Sequence, residues 1–342
     1  IGLNDNTVKG LIEQSSNERF GWDSYRRFIQ MFGNVVLGVD HDLFEELLTE
    51  AKRERGVQLD TDLDASALRT LVQQYQEKVK EVVGKGFTED PYEQLWATIT
   101  SVFDSWYNDR AASYRRMHHI PSDWGTAANV QAMVFGNLGD DCATGVAFTR
   151  DPSNGEPHFY GEYLTNAQGE DVVAGIRTPL HLTAVDGTNK SDSLQAIMPK
   201  AYAELDDIRK RLESHYKDMQ DIEFTIERDR LWMLQTRAGK RTGNAALRIA
   251  VDMVREGLVD QRKALLLVDP DQHLDQLFHP RIDPGATSEP VARGLNASPG
   301  AAAGKIVFTA EEAVERVAAG DKVILVRTET SPEDIEGMAV AS

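Results

Sequence analysis

The stretch from Asp221 to Arg237, DIEFTIERDRLWMLQTR, holds the residues best suited to chemistry. Ile222, Phe224 and Ile226 alternate with Asp221, Glu223, Thr225 and Glu227, the period of a strand with one apolar and one polar face. Arg228, Asp229 and Arg230 suit a three-residue turn into a returning strand. Pairing Glu227 with Leu231 then sets Gln235 opposite Glu223 and Arg237 opposite Asp221, because opposed residues share a face. In that register Trp232, Leu234 and Thr236 join the apolar side, while Leu231 and Met233 fall on the polar side as the one mismatch. A slip of one residue brings Leu234 against Glu223 and mixes both faces, so the first register is expected. The oxygens of Asp221, Glu223 and Gln235 are hard donors of the kind Mg²⁺ shares with substrate phosphates. Arg237 adds a forked donor for a phosphate oxygen. Residue type and spacing alone also fit an ordinary half-solvated hairpin with a surface ion pair.

Several elements have to position this hairpin. Upstream, four apolar stripes at helical spacing predict a helical subdomain. One runs from Asp23 through Tyr25, Phe28, Ile29 and Phe32 to Gly33, and another covers Leu43 to Ala51 with Gly56 as its stop. The third extends from Asp64 to Gly84; the fourth begins at Asp90-Pro91 and carries Leu95, Trp96, Ile99, Val102, Phe103, Trp106 and Tyr107, an aromatic stripe that reads as core. From about Trp124 the period changes to two. Residues Asn129–Gly136, Gly145–Arg150, His158–Leu164 and Asp171–Val173 are predicted strands, and helices are predicted from Lys200 to about Met219 and over Asn244–Glu256. The stretch from Asp269 to Pro290 reads as a linker punctuated by Pro, Asp and Gly. The last fifty residues read as a new α/β unit with strand, turn, strand, helix and strand. Gly136, Gly139 and Gly145 match neither the P-loop nor the dinucleotide spacing, and no phosphate cradle is assigned to them. Glu162, Glu170 and Asp171 stay without a role at this level.

The bulk numbers exclude several classes. With 41% hydrophobic and 27% charged residues in 342, the chain can bury a sizeable core and fill about two domains. A formal net charge of −18 argues against nucleic acid as a partner, since phosphate backbones need a basic surface. Cys142 is the single cysteine, so no disulfide can form within the chain and a reducing, cytoplasmic setting is expected. No apolar run is long enough to span a bilayer, and no membrane association is expected.

IEFTIE and LWMLQTRAGKRT together resemble the closing hairpin of the ATP-grasp domain in the pyruvate phosphate dikinase family, and more loosely that of phosphoenolpyruvate synthases. The resemblance continues through VQAMVFGNLGDDCATGVAFTRDP, GEYLTNAQGEDVVAGIRTP, ARGLNASPGAAAGKIVF and VILVRTETSPEDIEGM, so it covers essentially the whole chain. It implies an α+β or α/β fold: an ATP-grasp-type nucleotide domain with a helical subdomain, then an incomplete swivelling phosphohistidine domain. The implied segments are 1–20 as a leading piece, 21–120 as the helical subdomain, 121–242 as the nucleotide-binding subdomain, 243–290 as a helical linker and 291–342 as the start of the phosphohistidine domain.

Residue by residue, the resemblance implies that Glu223 and Gln235, with Asp221 as a weaker third ligand, hold Mg²⁺ and nucleotide, and that Arg237 reaches the phosphates. The backbone at Gln131 and Met133 would face the adenine edge. ATP is the implied substrate; phosphate and pyruvate or phosphoenolpyruvate are partners of the full enzyme, with a homodimer as its assembly. The phosphoryl-accepting histidine is expected beyond Ser342, so none of His41, His118, His119, His158, His181, His215, His273 and His279 is the carrier. The chain alone would then be inactive as a dikinase. The alternatives are a phosphoenolpyruvate synthase fragment, disfavoured by QGEDVVAGIRTP and QTRAGKRT, or a non-catalytic nucleotide-binding or scaffold fragment.

Overall fold

The computed structural model describes residues 1–173, 177–183, 190–278, 282–283, 285, 301–327 and 334–341, which separate into two compact units. The first unit, built mainly from residues 1–132, is helical. It contains α1 (Thr7–Ser15), α2 (Glu18–Val35), α3 (His41–Arg55), α4 (Ala65–Val83), α5 (Pro91–Asp104) and α6 (Asp109–Met117). α4 and α5 start at the expected Asp64 and Asp90, whereas α2 begins at Asn17, ahead of the expected Asp23, and runs past Gly33 to Val35. Asn17, Asp40, Asp64 and Asp90 each accept a backbone N–H of the first turn, and Pro91 occupies the first turn of α5. Gly56 and Gly84 end α3 and α4 in left-handed backbone, which costs glycine nothing. Tyr25, Ile29 and Phe32 of α2 pack with Phe44 of α3 and Leu68, Leu71 and Tyr75 of α4 in one core, and the Tyr75 hydroxyl donates to the Phe44 carbonyl at 3.0 Å.

One expectation fails here. The aromatic stripe of α5 is not core: Trp96, Phe103 and Tyr107 are exposed, and Leu95, Ile99, Val102 and Trp106 are only half-buried. The face that α5 buries is instead organised by Gln94, fully enclosed, which accepts from the Gly2 N–H and donates to the carbonyls of Leu3 and Thr88. Apolar periodicity marked the helix correctly but not the side it buries. The helix also stops at Asp104, and Ser105–Tyr107 continue as one 3₁₀ turn. α1 and α6 are additions that the apolar pattern left unmarked.

The second unit centres on residues 133–307. It holds β1 (Ala143–Phe148), β2 (Tyr160–Thr165), α7 (Gly169–Val173), β3 (Leu180–His181), α8 (Leu194–Ile197), α9 (Pro199–Tyr216), β4 (Gln220–Glu227), β5 (Arg230–Ala238), α10 (Gly243–Arg255) and α11 (Gln261–Leu266). The sheet order is β3-β2-β1-β4-β5, with every neighbouring pair antiparallel. This is an α+β arrangement. Residues Asn129–Phe135 form no strand, and Asp171–Val173 lie in the short helix α7 instead of a strand. Both segments alternate in sequence, but in neither does the described chain supply a neighbouring strand to pair with, and pairing is what makes a strand.

One side of the sheet carries the main core of this unit: Ala147, Tyr163, Ile222, Phe224, Ile226 and Leu231, with Leu205 of α9. On the other side α10 packs through Ile249 and Met253 with Phe148 and Met219, and α7 packs through Val172 with Val146 and Leu164. A strip of sheet stays between these two patches. Arg150, at the end of β1, ties α9 and α10 to the sheet. Its guanidinium is 2% exposed and binds Glu213 at 2.8 Å and Glu256 at 2.5 Å. Burial disfavours its charge, but hydrogen bonds to Glu256 and Glu213 outweigh that and hold it firmly protonated.

Beyond the linker-like stretch come β6 (Lys305–Val307), α12 (Ala310–Ala318), β7 (Val323–Leu325) and α13 (Ile335–Val340), with β6 and β7 forming a two-stranded sheet. The first strand and turn expected in the last fifty residues, and part of the Asp269–Pro290 stretch, lie outside the described residues.

Candidate functional site

The β4–β5 hairpin departs from the expected register near its turn and meets it at the functional end. Glu227 pairs with Arg230, so the turn is two residues, Arg228 and Asp229, both in left-handed backbone with φ of 51° and 62°. Such a primed turn matches the twist of the strands it joins. The Arg228 N–H donates to the buried Cys142 sulfur and the Asp229 N–H to the Asp141 carbonyl, which secure the turn. Phe224 then faces Met233 and Ile226 faces Leu231. A bulge at Leu234 absorbs one residue, after which Glu223 faces Gln235 and Asp221 faces Arg237.

The bulge removes the mismatch in the sequence reading. Leu231 and Met233 join the apolar face, whereas Trp232, opposite Thr225, moves to the polar one, and Leu234 is the bulged residue. A single uninterrupted register could satisfy only one end of the hairpin.

Pairing across the sheet arranges the polar face in rows. One row runs His181, Glu162, Val146, Glu223, Gln235; the next runs Tyr160, Phe148, Asp221, Arg237; on the turn side lie Leu164, Thr144, Thr225, Trp232. Opposed residues share a face, so Glu162 and Glu223 flank Val146 on the strip between α7 and α10. The sequence alone assigns Glu162 no role. Its alternation with Gly161 and Tyr163 was a usable signal, but only the strand order brings it beside Glu223.

Asp221 and Arg237 form an ion pair, Nε to Oδ2 at 2.7 Å, with the carboxylate 8% exposed and the guanidinium 57% exposed. The carboxylate is therefore committed to Arg237 and shielded. Glu223 is half-buried and Gln235 exposed on the same face. Among the described residues no group of three or more His, Cys, Asp or Glu is disposed to hold a metal ion by itself. Glu223 and Gln235 fit a hard cation that takes its remaining oxygens from phosphate and water; Asp221 does not fit as a direct ligand. Further along, Arg241 binds Asp218 through both terminal nitrogens at 2.7 and 2.8 Å, fixing the exit of β5 before α10.

At the turn end, the Phe135 N–H donates to Glu227 Oε2 at 2.7 Å. Met133, two residues earlier, is 64% exposed; Gln131 is exposed and belongs to the first unit. Gly136 lies where a Cβ would strike the carbonyls of Ala167 and Ala143, so this glycine serves close backbone packing and not a phosphate cradle. Its carbonyl accepts the Ala167 N–H at 2.9 Å, locking the loop over the end of the sheet.

The family model described as "Pyruvate phosphate dikinase, AMP/ATP-binding domain" matches residues 57–193 and 181–258. The chain is 57% identical over 345 residues to a pyruvate, phosphate dikinase of Rhizobium meliloti (strain 1021), covering all of this chain and 38% of that protein. It is 55% identical over 343 residues to the chloroplastic enzyme of Mesembryanthemum crystallinum, covering 35% of it, and 54% identical over 344 residues to pyruvate, phosphate dikinase 2 of Oryza sativa subsp. japonica, covering 38%. The chain thus spans little more than a third of the length of these relatives. Among the described residues no helix is long and apolar enough to cross a membrane.

Proposed function

The chain belongs to the pyruvate phosphate dikinase AMP/ATP-binding family, and from that premise we propose that it contributes the Mg²⁺-nucleotide floor of an ATP-grasp phosphotransfer site. The observation that carries this reading is the pairing of Glu223 with Gln235 beside an Arg237 held by Asp221, all on one face of one hairpin. Mg²⁺, when bound, neutralises and orients phosphate oxygens. Glu223 and Gln235 are the residues to hold it, and Arg237 is the donor to a phosphate oxygen. Asp221 is a positioning residue that aims Arg237. Phosphoryl transfer is limited by positioning and charge, so a site of this kind needs no nucleophile of its own.

The nucleotide would lie along β4, with the base toward Glu227 and the Met133 backbone and the phosphates toward Arg237. Glu227 and Glu223 are separated by about 13 Å of strand at ~3.3 Å per residue, room for a nucleoside and its first phosphates. In the longer protein, phosphoryl would pass from ATP through a histidine of the swivelling domain to pyruvate, with phosphate as co-substrate, in a homodimeric enzyme. A reducing compartment such as the cytoplasm suits a chain whose one cysteine, Cys142, is a buried thiol.

Calorimetric titration with ATP, with and without Mg²⁺, tests the proposal. Binding should require Mg²⁺ and weaken in Gln235→Ala. ATP affinity indifferent to both Mg²⁺ and that substitution would overturn it.

A further inference from the structure

The sheet face opposite the candidate site carries a second opening. α9 lies against β4 and β5, with Leu205 in the core beside Ile222 and Phe224. Further along the helix, between its outer flank and edge strand β5, is a cleft of about 800 Å³. Ile208 and Leu212 of α9 and Met233 of β5 are its apolar lining; Lys210, Arg211 and His215 supply polar and cationic groups. The hairpin explains why this space is unfilled. Met233 is the last paired residue on that face before the bulge at Leu234, and the next residue in register there is the smaller Thr236.

The cations are not equivalent. Lys210 is held by Asp206 at 2.5 Å and has Asp207 at 3.7 Å. Arg211 is exposed and makes no ion pair among the described residues, in a chain whose net charge is −18. His215 lies in the last turn of α9, where the partial negative charge of the helix end works against an anion. An anionic head is therefore best received at Arg211, a turn further back.

We propose that this cleft is a binding site for a small amphipathic anion, separate from the nucleotide site. The apolar body rests on Ile208, Leu212 and Met233, and a sulfonate, carboxylate or phosphate head binds the Arg211 fork. The volume falls within the usual range for small-molecule sites, roughly 300–1,000 Å³, and the lining sets an apolar wall beside the Arg211 guanidinium. Arginine is the side chain best shaped for such oxyanions.

The probe is 8-anilinonaphthalene-1-sulfonate, titrated into the 342-residue chain and followed by fluorescence. One saturable site is expected, weakened by salt. Arg211→Glu should raise Kd at least about tenfold, the loss of one charge-assisted contact. Met233→Trp should abolish binding by filling the cleft, while saturating Mg·ATP should leave the signal in place. Arg211 is exposed, so its variant folds and decides the matter even if Met233→Trp does not. No saturable binding, an unchanged Kd in Arg211→Glu, or displacement by Mg·ATP would each overturn the proposal.

Discussion

Glu223 and Phe224 are adjacent in sequence and opposite in consequence. Phe224 is fully buried among Ile222, Ile226 and Leu205, so Phe224→Ala should destabilise the sheet unit by about 3–5 kcal/mol through cavity formation. Glu223→Ala removes a half-buried carboxylate from the polar strip and should leave the unfolding midpoint nearly unchanged while raising the Mg²⁺ concentration needed for ATP binding. Urea unfolding and a Mg²⁺ titration of ATP binding separate the two; exchanged phenotypes would mean that the faces are reversed. Asp221→Asn gives a third pattern. Its carboxylate contacts Arg237 at 2.7 Å, so losing the charge should weaken ATP by about ten- to a hundredfold without moving the Mg²⁺ dependence. A Mg²⁺ shift as large as that of Glu223→Ala would make Asp221 a direct ligand after all.

At the level of elements, the bulge is the device that lets one hairpin serve both a core and a site. On the turn side of Leu234 the strand follows the demands of packing, with Leu231 and Met233 inward; on the other side it follows those of Gln235 and Arg237. Deleting Leu234 should regularise the ladder while keeping Gln235 opposite Glu223, so ATP affinity should stay within about threefold, below half of the ~1.4 kcal/mol that a tenfold change represents. Loss of binding would show that the local bend, and not the register, aims Gln235. The buttress behind the hairpin is Arg150. Arg150→Ala strands Glu213, 13% exposed, without its charge partner, and should cost about 3–5 kcal/mol. The Glu256 arm adds less, since that carboxylate is 38% exposed and screened by water. Denaturant titration measures the loss, and a change below 1 kcal/mol would mean that α9 and α10 hold the sheet by apolar packing alone.

Across the whole molecule, acid should act unevenly. In the helical unit Asp23 is 3% exposed. Burial by itself would raise its pKa, but the Arg26, Arg27 and Arg19 guanidinium groups, the first at 2.7 Å, overcome this and hold the carboxyl below its usual range. A carboxyl whose folded pKa is depressed contributes stability that is complete above its unfolded value, about 3.9, and lost as pH falls through the folded one. Amides of α2 and α4 should therefore lose hydrogen-exchange protection as pH drops below about 4. Asp23→Asn should flatten that dependence and lower protection at neutral pH. Equal slopes in the two proteins would remove Asp23 as the cause.

Local physics made much of this protein legible from its sequence. Caps at Asp64 and Asp90 act within one turn of chain, and the alternation in Asp221–Glu227 is a property of a single strand. Helices and hairpin could thus be read from neighbours in sequence, and so could the meeting of Glu223 with Gln235, since the hairpin spans few residues. The start of α2 and the length of the hairpin turn are local failures; the others concern partners distant in the chain. Trp96, Phe103 and Tyr107 are exposed because Gln94 and the chain's first residues decide which side of α5 is buried. Glu162 reaches the site only because β2, β1 and β4 are adjacent in the sheet. The bulge arises from two ends of a strand obeying different surroundings. Periodicity records that a segment has two faces; which face is covered, and by what, depends on contacts between residues far apart in sequence, and those only the tertiary structure decided.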